Sequence, residues 1–180
     1  MALKSTICKL VLAVADIDRG HYQDYELTIA RHPSETDERM MVRVLAFALH
    51  ADAALQFGRG LSAEDEPDLW RRDLTGTIET WIEVGLPDER ELRRACGRAR
   101  EVEVLAYGGR AVQLWWHGAR DRLLRQAQLA VHEVPLAASR ALAALADRSM
   151  RLQVTIQEGH VLVSDGATSV TVDLMPLKTR

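Results

Sequence analysis

The stretch that most constrains this chain is Thr77-Ile78-Glu79-Thr80-Trp81-Ile82-Glu83-Val84-Gly85. Side chains alternate across a strand with a period of two, so Ile78, Thr80, Ile82 and Val84 share one face and Glu79, Trp81 and Glu83 share the other. The first face is core. Two carboxylates beside a tryptophan on the second face need a purpose. Just upstream, Asp73-Leu74-Thr75-Gly76 suits a tight turn, with Asp first and Gly last, and Asp68 to Arg72 reads as the partner strand. If Asp73 pairs with Gly76, Asp68 lies across from Trp81 and Glu66 across from Glu83, at the ~5 Å spacing of opposed side chains. Glu66, Asp68 and Glu83 then share a face, where like charges need a proton or a cation between them. Mg²⁺ takes hard oxygen ligands, usually one or two carboxylates with waters and substrate phosphate. The spacing therefore predicts a Mg²⁺ site, which a one-residue register slip removes. Taken singly, Glu66 and Glu79 read as surface acids.

The rest of the chain surrounds this hairpin with alternating elements. Thr6 to Ala15 and Tyr22 to Ile29 read as strands joined through Asp16-Ile17-Asp18-Arg19-Gly20. Pro33 stops the extended run, and Ser34 is the expected N-cap of a helix from about Glu35 to Ala53. Met41, Val44, Leu45, Ala48 and Leu49 give that helix one apolar stripe. Beyond the hairpin, Pro87-Asp88-Glu89 opens a helix to about Arg98, and Glu101 to Tyr107 reads as a buried strand. Ala111 to Gln126 is expected as helix, Ala127 to Val134 as strand, and Pro135 to Arg148 as an Ala/Leu helix with Pro in its first turn. Met150 to Leu174 is strand-like, with turns at Glu158-Gly159 and Asp165-Gly166. The expected architecture is one α/β (α+β) domain over 1–180, a mixed sheet flanked by helices. Its core is a helix-strand-strand-helix-strand run over about 35–107, with a β-rich tail over about 150–175.

Composition narrows the function classes. At 47% apolar and 27% charged residues, the chain is globular rather than disordered. A formal net charge of -3 argues against a dedicated nucleic-acid coat but leaves room for a local basic groove. Cys8 and Cys96 stand too far apart for a CxxC metal pair or a secreted disulfide framework, and Cys96 reads as core. The start, Met1 to Thr6, is a poor signal peptide, and no window approaches the ~18 apolar residues that cross a bilayer. The expectation is a cytoplasmic protein with no membrane partner. His32 reads as a structural hydrogen-bonding residue and Met40-Met41 as packing. Trp115-Trp116-His117 reads as half core and half surface, although such a cluster is able to stack bases.

Two resemblances sharpen this reading. Pro67-Asp68-Leu69-Trp70-Arg71-Arg72-Asp73, the turn, and Thr80-Trp81-Ile82-Glu83-Val84-Gly85 together resemble the PD-(D/E)xK (restriction-endonuclease-like) phosphodiesterase core. His32-Pro33-Ser34-Glu35-Thr36, Glu38-Arg39-Met40-Met41 and Trp81 to Glu89, with the overall length, are similar to the YaeQ family, understood as a compact variant of that fold without a settled activity. The resemblance implies a Mg²⁺-dependent nuclease with Asp68 and Glu83 as metal ligands and Glu38, on the first long helix, as an added acid. The motif lysine does not carry over, because its position is Gly85. Some relatives of the core place the basic residue on the following helix, which points to Arg93 or Arg94, and Arg94 is the expected one. An arginine stabilises phosphorane charge but is a poor general base. The alternative is a catalytically inactive descendant acting as a binding or regulatory module, and a weaker one is a nucleotide or small-molecule binder with Trp81 as a wall. Nucleic acid is the expected partner of the active form.

Overall fold

Runs rich in Val, Ile, Leu and Tyr form the first hairpin in the computed structural model, which describes residues 4–62 and 65–180. Strand β1 (Thr6–Asp16) pairs with β2 (His21–Arg31) over their full lengths. Helix α1 (Asp37–Leu49) follows, later than the sequence suggests, because Thr36 and not Ser34 is the N-cap: Thr36 Oγ1 accepts from the Arg39 backbone N–H at 3.1 Å. Ser34 is engaged with His32, whose Nδ1 accepts its backbone N–H at 3.1 Å. A short strand, β3 (Leu55–Phe57), then precedes the hairpin of β4 (Leu69–Arg72) and β5 (Ile78–Val84). Helix α2 (Glu89–Cys96) opens with a capping box between Asp88 and Glu91. Next come β6 (Ala99–Ala106), α3 (Arg110–Leu123), β7 (Leu129–Glu133) and α4 (Leu136–Ala143), in which Pro135 is the N-cap residue. The chain finishes with β8 (Ser149–Gln157), β9 (His160–Ser164), β10 (Ser169–Asp173) and β11 (Met175–Lys178).

These elements make a mixed α/β fold with two mixed sheets, where one sheet was expected. The first has the order β10-β9-β8-β1-β2 and the second β11-β7-β6-β5-β4-β3. The strand-rich tail is the centre and far edge of the first sheet, because β8 lies parallel to β1. Parallel ladders β5–β6 and β6–β7 form the middle of the second sheet.

Helix α1 lies between the sheets. Every residue from Met40 to Ala48 is buried, so the helix carries apolar surface all round rather than the single stripe read from its periodicity. Phe47 meets Tyr25 of β2 edge-on at 5.1 Å and stacks on Phe57 of β3 at 5.5 Å, joining both sheets. Leu10, Leu12, Leu152 and Val154 close this core from one side, and Leu69, Ile82, Val84 and Leu105 from the other. The opposite face of the second sheet, with Trp81, Val102, Val104 and Val131, is covered by Leu92 and Cys96 of α2 and Val112 and Leu123 of α3. Among the described residues no helix is long and apolar enough to cross a membrane.

Candidate functional site

The β4–β5 ladder pairs Leu69 with Ile82, Trp70 with Trp81 and Arg71 with Thr80. Continued one step, it sets Asp68 opposite Glu83. The register read from the sequence, with Asp68 across from Trp81 and Glu66 across from Glu83, is therefore two residues off. The Asp73–Gly76 turn forms, with Gly76 N–H donating to Asp73 O at 3.0 Å, but the ladder closes outside it: Asp73 N–H donates to Thr77 O at 2.9 Å, and a bulge falls between Arg71 and Arg72. A slip of two keeps every side chain on its face, so Asp68 and Glu83 still meet.

Both oxygens of Asp68 are engaged. Oδ2 accepts the Val84 backbone N–H at 2.7 Å, and Oδ1 accepts Arg39 Nη2 at 2.7 Å. Arg39 also donates to Glu35 Oε1 at 3.0 Å, and Arg43 holds the same carboxylate with two bonds, at 2.8 and 2.7 Å. Glu83 Oε1 accepts the indole N–H of Trp81 at 2.7 Å. Burial, reinforced by the Asp68 charge, pushes the Glu83 carboxyl up to about 8, with the Trp81 bond offsetting only part. Burial and the neighbouring Asp68 charge thus favour the protonated form of Glu83.

Asp68, Glu83 and Arg94 line one cleft of about 190 Å³, together with Arg39, Trp81 and Glu91. The three residues singled out as catalytic from the sequence thus converge. Arg94 Nη1 stands 3.2 Å from Asp65 Oδ1. Glu66 also borders the cleft, but Arg59 holds both its oxygens, at 2.9 and 3.1 Å, and keeps its carboxyl below the usual range. Glu38 does not border it: its Oε1 accepts Ser139 Oγ at 2.6 Å, which turns it toward α4. Gly85 has φ +107°, a backbone conformation that side-chain-bearing residues avoid, although open space surrounds its missing Cβ up to Tyr107 Cε1 at 3.9 Å. The chain turns there in a way only glycine adopts freely.

Whether Mg²⁺ fits depends on the acids present. Among the described residues no group of three or more His, Cys, Asp or Glu side chains is placed to hold a metal ion. The expected cluster of three acids reduces to the pair Asp68 and Glu83, which suffices for Mg²⁺ when waters complete its shell. The proton on Glu83 relieves the repulsion that a cation would otherwise relieve. A cation would fit the pair only by displacing that proton and sharing Asp68 with Arg39.

Sequence reading missed Glu35, Arg39 and Arg43, spaced i, i+4, i+8. The available signal was two arginines inside an otherwise apolar helix, since charges there are buried only when paired. It also missed a second polar centre. Glu103, buried on β6, stands 3.1 Å from His50 Nε2 and 3.2 Å from His132 Nδ1, the latter off the line of a hydrogen bond. Burial acts to raise its carboxyl, and the two imidazoles hold it well below the ordinary range.

Fold and site together define a mixed α/β protein with a carboxylate pair at the β4–β5 ladder and two arginines, from α1 and α2, lining the same cleft. The YaeQ family model, described as "YaeQ protein", matches residues 1–174, and the chain belongs to that family. The YaeQ proteins of Salmonella typhi and Escherichia coli (strain K12) are 48% and 47% identical over 174 residues, covering 97% of this chain and 96% of theirs. The crystal structure of YaeQ from Xanthomonas axonopodis pv. citri superposes with a TM-score of 0.95 at 49% identity, covering 98% of this chain and 99% of that one. That from Pseudomonas syringae superposes with a TM-score of 0.91 at 38% identity, covering 98% and 97%.

Proposed function

We propose that the cleft is a divalent-cation-dependent phosphodiester hydrolase centre on a compact variant of the PD-(D/E)xK core, acting on nucleic acid. The observation that carries the reading is the meeting of Asp68 and Glu83 in one cleft that Arg39 and Arg94 also line, where burial and the Asp68 charge raise the Glu83 carboxyl. A bound Mg²⁺ supplies Lewis acidity toward a phosphate oxygen and lowers the pKa of a coordinated water. The chain supplies the rest. Val84 N–H and Arg39 fix the Asp68 carboxylate, and Asp68 with a deprotonated Glu83 would hold the ion. Arg94 leaves Asp65 to meet the phosphate and stabilises the negative charge of the transition state. Gly85 offers no side chain for activating water, and that chemistry would be supplied by the bound ion.

One observation favours a second reading, in which the site only binds. Arg39 already neutralises Asp68 without any metal, at 2.7 Å. The two readings separate by incubating the protein with labelled single- and double-stranded DNA and RNA in Mn²⁺. The hydrolase reading expects cleavage that falls by at least about a hundredfold in Asp68→Asn and in Glu83→Gln, with folding verified by circular dichroism. Arg94→Ala should bind Mn²⁺ as the parent does yet cleave poorly. Intact nucleic acid alongside measurable Mn²⁺ binding leaves the binding module standing and removes the hydrolase.

A further inference from the structure

On the neighbouring strands β4 and β5 of the second sheet, two tryptophans each carry an arginine beside their ring. Trp70 and Trp81 are directly paired across β4 and β5 and meet edge-to-face, with centroids 6.2 Å apart. The Arg72 guanidinium sits 3.7 Å above the Trp70 ring, and that of Arg98 sits 5.2 Å from the Trp81 ring. Trp81 itself lines the cleft. Arg72 and Arg98 are both exposed, and among the described residues neither pairs with a carboxylate, although Arg98 Nη1 donates to the Asp65 backbone O at 3.3 Å. This contrasts with their neighbours: Arg71 pairs with Asp52 and Glu79, Arg94 with Asp65, and Arg39 with Glu35 and Asp68.

The combination has a specific chemistry. An exposed guanidinium lying flat on a tryptophan covers a π-surface without being tied to it, since a cation–π contact at an exposed site is weak. A nucleobase competes for the same face, and the displaced guanidinium stays within reach of the phosphate that follows the base. Aromatic platforms beside cationic side chains are how single strands are held without sequence preference. A paired base inside a duplex keeps its faces stacked on its neighbours and presents neither to a tryptophan.

We propose that Trp70 with Arg72 is a subsite for an unpaired nucleobase flanking the phosphodiester in the cleft, so that the substrate is single-stranded nucleic acid. This rests on the hydrolase reading for the identity of the neighbouring group, and goes beyond it in naming the strand state. Trp81 and Arg98 continue the path from the subsite to Asp68 and Glu83. The local cations account for how a chain with a net charge of -3 engages a polyanion.

The test separates the subsite from the catalysis. Short fluorescein-labelled oligothymidylate and oligouridylate are titrated into the full chain in EDTA, with tryptophan quenching read alongside anisotropy. A duplex of the same length and thymidine monophosphate serve as competitors. The subsite predicts binding of the single strand with quenching, and binding of the duplex and the mononucleotide at least about tenfold weaker. Trp70→Ala should weaken single-strand binding about tenfold to a hundredfold. Arg72→Ala, an exposed change that leaves the fold intact, should weaken it about threefold or more and lessen its salt dependence. Preference for oligouridylate or for oligothymidylate assigns RNA or DNA; either supports the subsite. Duplex or mononucleotide binding as tight as the single strand overturns it, as does parental affinity in both variants. Binding that depends on Trp70 in EDTA with no cleavage in Mn²⁺ sinks the hydrolase and keeps the subsite. Cleavage of single strands untouched by either substitution does the reverse.

Discussion

Glu83 is the residue whose chemistry differs most from its surroundings. Its folded carboxyl stands at about 8 against an ordinary 4.5, so the folded chain holds a proton that the unfolded chain releases between those values. The contribution to stability is complete below about 4.5 and is lost as pH rises through about 8. Glu83→Gln removes the dependence. Thermal melts across pH 5–9 should show the parent losing stability with rising pH while the variant stays flatter, ending on the order of 3 kcal/mol ahead at pH 9. Parallel curves would show that the Glu83 carboxyl is not raised. Glu103 behaves oppositely: its carboxyl is depressed, so its contribution is present above the ordinary 4.5 and is lost only in strong acid. Gly85 is a third local determinant. Placing the motif lysine there, as Gly85→Lys, forces a side-chain-bearing residue to φ +107° and should cost about 1–3 kcal/mol in a denaturant titration, without creating activity.

At the scale of elements, the β4–β5 hairpin decides whether a site exists. Its faces were legible because alternation has a period of two, and both acids landed on the correct side. Its register was not, because the ladder closes outside the four-residue turn, between Asp73 and Thr77. Asp73 Oδ1 accepts the Thr75 and Thr77 backbone N–H groups at 2.8 and 3.0 Å. Asp73→Ala should therefore loosen the hairpin by about 1 kcal/mol, and faster amide exchange in β4 and β5 is the expected signature. The start of α1 was misplaced for a related reason. Ser34 and Thr36 are both good caps, and only contacts with His32 and Arg39 choose between them. Arg39 and Arg43 show where such reading ends: periodicity marks their positions on the helix, yet their joint partner, Glu35, lies outside it.

In the whole molecule, α1 is the part that makes two sheets one structure. Phe47 touches aromatic rings from both, and Phe47→Ala should cost about 3–5 kcal/mol, read from chemical denaturation. The division into two sheets escaped the sequence because the parallel pairing of β1 with β8, which builds the first sheet, joins segments over a hundred residues apart, and no local pattern records such a partnership. The same helix carries Arg39 from this interior to Asp68, so packing and site chemistry share one element. That site is most directly tested by calorimetric titration of Mn²⁺ at pH 7 in two buffers of different ionisation enthalpy. A cation taking the place of the Glu83 proton releases protons as it binds, and Glu83→Gln releases none. Mn²⁺ binding without proton release, or no binding at all, contradicts the account.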